Sequence, residues 1–137
     1  MTNDAGGDVV AIVRASYEAY AQKNRERIES LISRDFHFTS PLDNRIDRTT
    51  YFARCWPNSE NIVAFEFIQL ARDRETVFVT YEGRSRDNHR FRNTERVTVR
   101  GGQIHEVEVY FGWTIPHPAP EGRFINPGTA SIQAPDD

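Results

Sequence analysis

Apolar positions in this chain follow two periods, and the change from one to the other divides it in two. Up to about residue 56 they recur mostly at helical spacing; from 62 to 114 they alternate every second residue. Residues 8–23 gather Val9, Val10, Ile12, Val13, Ser16, Tyr17 and Tyr20 on one side of a predicted helix, with Asp8 as its N-cap. Asn24 ends that helix and caps a second, 25–33, whose apolar side is Ile28, Leu31 and Ile32. Residues 36–40 alternate as a strand with Phe36, Phe38 and Ser40 on one face; Pro41 stops it and 42–45 is a loop. Asp47 caps a third helix, 48–56, with Ile46 and Tyr51 at hydrophobic-staple positions, and Pro57 to Ser59 closes the segment.

The second half predicts a meander. Residues 62–71 place Val63, Phe65 and Phe67 on one face and Ile62, Ala64, Ile68 and Leu70 on the other. Residues 76–85 are rich in β-branched and aromatic side chains, with Tyr81 inward and Glu82 outward, and 86–89 is a hairpin turn. In 91–100, Phe91, Asn93, Glu95, Val97 and Val99 share one face, while the other is wholly polar. Gly101-Gly102 is a tight turn, and 103–114 is the last strand. Its more apolar face, His105, Val107, Val109 and Phe111, is expected inward, with His105 near the turn best placed half in solvent at the strand end; Glu106 and Glu108 then meet Arg92, Arg96 and Arg100 across the turn.

Helices segregated from antiparallel strands make an α+β fold, a curved sheet wrapped around a long N-terminal helix to form a cone with an internal pocket. The expected organisation is a disordered N-terminus 1–7, one domain 8–114, and a proline-rich arm 115–137 without regular structure, for which Phe124 and Ile125 are the candidate anchors.

Composition narrows the class of function. The chain has 137 residues, enough for one core, and a formal net charge of −3, which gives no argument for nucleic acid or an anionic membrane surface. Cys55 is the single cysteine, so no intrachain disulfide can form. With no signal-peptide pattern and no apolar run near the roughly 20 residues of a span, a cytoplasmic location is expected. The four histidines show no metal-ligand spacing, and no nucleophilic serine motif, phosphate loop or dinucleotide fingerprint is present, so neither metal nor cofactor is implied.

The candidate chemistry centres on Glu95. A carboxylate aimed inward beside Phe and Val is costly unless paired, hydrogen-bonded or protonated, and a pocket holds its working group in such a place. Asn93 shares its face and would orient a substrate carbonyl or brace Glu95. Asp43, beside Pro41, is a candidate base or simply a turn former. Phe38, Ser40, Trp56, Tyr20 and Trp113 are candidate pocket-lining residues; aromatics at such spacings also serve as plain core.

This element order, with Tyr17 on the first helix, the strand ending at Pro41, the helix capped by Asp47 and the closing strands around Glu95 and Gly101-Gly102, resembles the nuclear transport factor 2-like superfamily, specifically its SnoaL-like and ketosteroid-isomerase-like small proteins. The resemblance implies Tyr17 as an oxyanion donor and Glu95 as a second, protonated donor. Ser40 stands where those isomerases carry their aspartate base, and serine cannot by itself take a proton from carbon. The implied activity is isomerisation, cyclisation or dehydration of an apolar carbonyl compound; the alternative is a non-catalytic dimeric module binding a ligand or partner. Epoxide hydrolysis in similar proteins needs an inward Asp–Arg–Asp set, and no pair of inward aspartates is evident. The resemblance also implies a homodimer through the open sheet face.

Overall fold

A computed structural model describes residues 4–127. Helix α1 spans Asp4–Gln22, so Asp8 lies within the helix and not at its cap, and residues 1–3 lie outside the described part. Val13 and Tyr17 on its inner face are buried. The helix ends in a Schellman arrangement: Lys23 adopts φ 60, its N–H reaches the Tyr20 carbonyl at 3.1 Å, and the Asn24 N–H reaches that of Ala19 at 2.8 Å. Asn24 then caps α2, Arg25–Leu31, by accepting from the Arg27 N–H. This helix stops two residues short of the expected 33, because Ile32 already pairs with Ile104 of the last strand.

Strand β1 is Ile32–Ser40 and β2 is Asp43–Asp47. Residues 43–45 were expected in a loop; Pro41 does end β1, but the chain folds straight back, pairing Ser40 with Asp43 and Phe38 with Ile46. Asp47 caps α3, Arg48–Arg54, accepting from the Thr50 N–H at 2.9 Å, and a 3-10 turn, Trp56–Asn61, continues it. Strands β3 (Ile62–Asp73), β4 (Thr76–Ser85), β5 (Arg90–Arg100) and β6 (Gln103–Ile115) follow. The six strands run in the order β2-β1-β6-β5-β4-β3, antiparallel except for the parallel pair β1 and β6. The helices cover one face of this curved, unclosed mixed sheet. Against them pack Phe36, Val77, Val79, Val97, Val99 and Ile104, each no more than 4% exposed.

Bulges modify two of the expected faces. In β3 a register shift between Phe67 and Gln69 lets Phe65, Phe67 and Leu70 all reach the core, although simple alternation separates Leu70 from the phenylalanines. In β6 a shift opposite Thr98 and Val99 turns Ile104 inward and His105 outward. Alternation alone carries His105 inward, but its expected place is half in solvent at the strand end, and there it lies: its Nδ1 is 3.0 Å from Asp35 and its Nε2 3.1 Å from the Arg100 carbonyl, on the helix-free side. The expected Arg–Glu ladder between β5 and β6 is also replaced. Arg92 pairs with Glu82 and Arg100 with Glu75, while Glu106 faces Arg45 and Glu108 accepts from Tyr110. Only Arg96 stands opposite Glu108 in register, and the acidic residues around β4 compete for the other arginines.

Beyond Ile115 the described chain is irregular, as the prolines require. Ala119 is its buried contact, whereas Phe124 is 80% exposed and Ile125 is exposed too, so neither anchors the arm; residues 128–137 lie outside the described part. Among the described residues no helix is long and apolar enough to cross a membrane, and no group of three or more His, Cys, Asp or Glu is placed to hold a metal ion.

Candidate functional site

The cone encloses a cavity of about 460 Å³ between α1, β1, α3 and the inner face of the sheet. That volume suits a small organic molecule. Most of the lining is apolar, including Ile28, Phe36, Phe65, Phe91, Val97 and Val109. Polar groups collect at two poles.

The deep pole is built on α1, β4 and β5. Alternation turns Tyr81 and Glu95 inward, and the β4–β5 register sets Tyr81 opposite Asn93 and Val79 opposite Glu95, so Tyr81 and Glu95 are diagonal neighbours. Tyr17 comes from the inner face of α1. Its hydroxyl donates to Glu95 Oε1 at 2.6 Å, and the Tyr81 hydroxyl donates to Oε2 at 2.7 Å. Edge-to-face packing fixes both rings: Tyr17 lies 5.2 Å from Phe65 and 5.3 Å from Tyr81, and Phe65 lies 5.2 Å from Tyr81. Asn93 Nδ2 donates to the Tyr81 hydroxyl at 3.3 Å, and its Oδ1 accepts from the Gly112 N–H at 3.2 Å.

Electrostatics follow from this geometry. Glu95 keeps some accessible surface and lines the cavity, but protein surrounds it. Burial lifts its carboxyl above the ordinary value of 4.5, and the two tyrosine hydrogen bonds oppose that lift without cancelling it. Burial, then the adjacent Glu95 charge, pushes the Tyr17 and Tyr81 hydroxyls well above 10.0, so both keep their protons.

The second pole sits at the mouth, where β1 turns into β2. Asp43 Oδ2 accepts from the Ser40 hydroxyl at 2.8 Å, and Oδ1 accepts from Arg54 Nε. The Ser40 oxygen also accepts from the Leu42 N–H at 3.0 Å. Asp43 is covered by these partners and not by depth: its side chain is 8% exposed, and Arg54 beside it is 54% exposed. Burial pushes its carboxyl up, but hydrogen bonds from Arg54 and Ser40 and the Arg54 charge outweigh that, holding it below 3.8.

The expected site residues therefore divide. Glu95, Tyr17, Asn93, Phe38, Ser40, Tyr20 and Asp43 all line the cavity, with Asp43 at its mouth and already in an ion pair. Tyr20 gives its hydroxyl to the Cys55 carbonyl at 3.3 Å, and burial pushes that hydroxyl up to about 12. Trp56 is buried behind the lining against Tyr20, ring centroids 5.4 Å apart. Trp113 is 48% exposed on β6 beside His117 and stands outside the cavity, past the bulge that interrupts the inward alternation. Tyr81 and Arg54 belong to the site and were not singled out. Tyr81 was signalled by the 86–89 hairpin, whose register places it diagonal to Glu95; no local pattern marks Arg54, which meets Asp43 from another element.

Solved structures share the architecture. A protein from Kribbella flavida DSM 17836, provisionally named a ketosteroid isomerase, is 15% identical over 88% of this chain and 89% of its own, with a TM-score of 0.69. An NTF-2 like protein of unknown function from Burkholderia xenovorans LB400 is 17% identical over 93% of each chain, also at 0.69. An LEH-like epoxide hydrolase from M. tuberculosis is 13% identical over 77% of this chain and 84% of its own, at 0.67. At these identities the likeness is one of fold. No curated protein matches the sequence. The SnoaL-like domain matches residues 13–108, most of the chain and nearly all of the cone, and the protein belongs to that family.

Proposed function

We propose that this protein binds an apolar carbonyl-type small molecule in the cone and moves a proton at carbon, as an isomerase, cyclase or dehydratase would, with Glu95 as the proton acceptor. One observation carries the reading: a desolvated carboxylate, held by Tyr17 and Tyr81, forms the polar end of a largely apolar cavity of about 460 Å³. A carboxyl raised by burial is a better base than one in water, and its two fixed donors spread the charge it carries while the proton is away. Tyr17 thus acts on Glu95 and not on the substrate, a different part from the oxyanion donor that the family resemblance implies. Asp43, already paired with Arg54, is poorly suited to be the base and fits better as a polar lip of the mouth.

The test is exchange of α-protons for deuterium in small bicyclic ketones such as 2-tetralone, followed by proton NMR. The protein should accelerate exchange, and Glu95→Gln should remove roughly 100-fold or more of the acceleration. Equal exchange by the two proteins would end the catalytic reading.

The alternative is a non-catalytic binder. It is favoured by the fact that both oxygens of Glu95 already have hydrogen-bond partners, as a structural strut would. Saturable ligand binding with no exchange would select it. Dimerisation through the helix-free sheet face is also proposed, supported by Phe78 and Tyr110, exposed there at 39% and 56%. Sedimentation of the wild type against the Phe78→Glu/Tyr110→Glu double variant tests it, with loss of the dimer as the expected result.

A further inference from the structure

The hydrogen bonds at the deep pole have only one possible direction, and a backbone amide sets it. The Gly112 N–H can only donate, so the Asn93 atom 3.2 Å from it is the carbonyl oxygen. The other amide atom, Nδ2, then faces the Tyr81 hydroxyl at 3.3 Å, and Nδ2 also only donates. The Tyr81 oxygen must accept there, leaving its single proton for Glu95 Oε2 at 2.7 Å. Tyr17 supplies Oε1 at 2.6 Å. Turning the Asn93 amide over would set two donors against each other at Gly112.

The starting point is itself built in. Gly112 lies where the β5–β6 register shifts between Phe91 and Asn93, and a Cβ there would fall 2.1 Å from the Arg92 carbonyl oxygen. Only glycine lets β6 come close enough to offer its N–H to Asn93. At the other end, a carboxylate has about four lone-pair positions. Two are filled by the tyrosines, and Glu95 lines the cavity with capacity left over.

We infer that Asn93 is a positioning residue that orients Tyr81 and thereby presents Glu95 to the cavity as a hydrogen-bond acceptor, so that the site selects flat apolar molecules offering an O–H or N–H at that pole over those offering only a carbonyl oxygen. A bare carbonyl there would meet carboxylate lone pairs with no proton between them. A phenol, an enol or an aromatic N–H supplies the missing donor, at the same position where a C–H acid would present its proton. The inference rests on the reading of the cone as a small-molecule pocket.

The experiment uses a donor and an acceptor probe on one aromatic frame, 2-naphthol and 2-acetylnaphthalene, titrated by calorimetry into the wild-type protein and two variants. Wild type should bind 2-naphthol roughly tenfold or more tighter than the ketone. Asn93→Asp keeps an acceptor for the Gly112 N–H but sets a second carboxylate against Tyr81; the Tyr81 proton is drawn to it, and the added negative charge makes Glu95 keep a proton of its own and become a donor, so the naphthol-to-ketone ratio should fall or invert. Asn93→Leu removes the direction altogether and should narrow the ratio, and it serves if the aspartate variant does not fold. A residue that only shapes the pocket would weaken both probes alike and leave the ratio unmoved. Equal affinities or a preference for the ketone in wild type, or an unchanged ratio in the folded variants, overturns the inference while the pocket stands. If neither probe binds, the pocket reading falls and the inference with it.

Discussion

Two carboxylates face the same cavity, and their surroundings drive them apart. Glu95 meets only neutral donors, the hydroxyls of Tyr17 and Tyr81, and burial lifts its carboxyl above 4.5. Asp43 meets a hydroxyl and a guanidinium, and the charge of Arg54 helps hold it below 3.8 despite burial. Neutral donors steady a carboxylate without paying its full desolvation cost, whereas a cation beside it outweighs that cost. The first arrangement leaves a carboxyl lifted above its ordinary value, as the proposed role in proton transfer requires; the second makes an ion pair. Depth and the kind of partner act together: Glu95 is deep and meets only neutral donors, whereas Asp43 is shallow and meets a cation.

The sharpest way to break this contrast is to remove the donors. Tyr17→Phe and Tyr81→Phe should each destabilise the protein by about 1.5–3 kcal/mol at pH 8, since each deletes a hydrogen bond to a buried charge. Urea unfolding measures it, and costs no larger than those of mouth variants would remove the distinction. Because the two hydroxyls share one carboxylate, the double variant should depart from additivity.

Next in size is the opposite pH dependence of the poles. The folded value of Glu95 lies above 4.5, so the folded protein holds that proton more firmly than the unfolded chain. Its contribution is absent below 4.5 and grows as a destabilisation while pH rises through the folded value. Glu95→Gln should therefore gain stability relative to wild type as pH rises above 4.5. Asp43 has the reverse sign. Its contribution is stabilising above 3.8 and lost as pH falls through its lower folded value, so Asp43→Asn should be the weaker protein above 3.8 and converge with wild type below it. Unfolding midpoints across this range for the three proteins check both signs, and the same sign for both variants would refute the contrast.

The smallest expected effect sharpens the description of the mouth. Ser40→Ala deletes a bond to Asp43 and one from the Leu42 N–H, but at a rim open to water; about 0.5–1 kcal/mol is expected by the same unfolding measurement. A loss as large as that of Tyr81→Phe would make the mouth as rigid as the deep pole.

Much of this was visible along the chain. The alternation through residues 91–100 required Glu95 and Asn93 to share the face of Val97 and Val99, and the two valines are buried as that pattern demands. The caps at Asn24 and Asp47 were legible because an N-cap is a contact across three residues. Leu70 and Trp113 were misread for one reason: a bulge inserts a residue without leaving a local mark, and each residue past it changes face. The β2 pairing and the Arg–Glu partners depended on neighbours distant in sequence.

The sequence by itself determined the class of fold and the inward aim of one acidic side chain, because periodicity and capping act over a few residues and need no knowledge of what lies opposite. Tertiary structure alone decided what each carboxylate touches. Tyr17 is 78 positions from Glu95 along the chain, yet their oxygens are within 2.6 Å; Arg54 and Asp43 meet from the far ends of a strand and the helix after it. Whether a carboxyl is lifted above its ordinary value or held below it depends on its depth and on those partners, and long-range packing sets both.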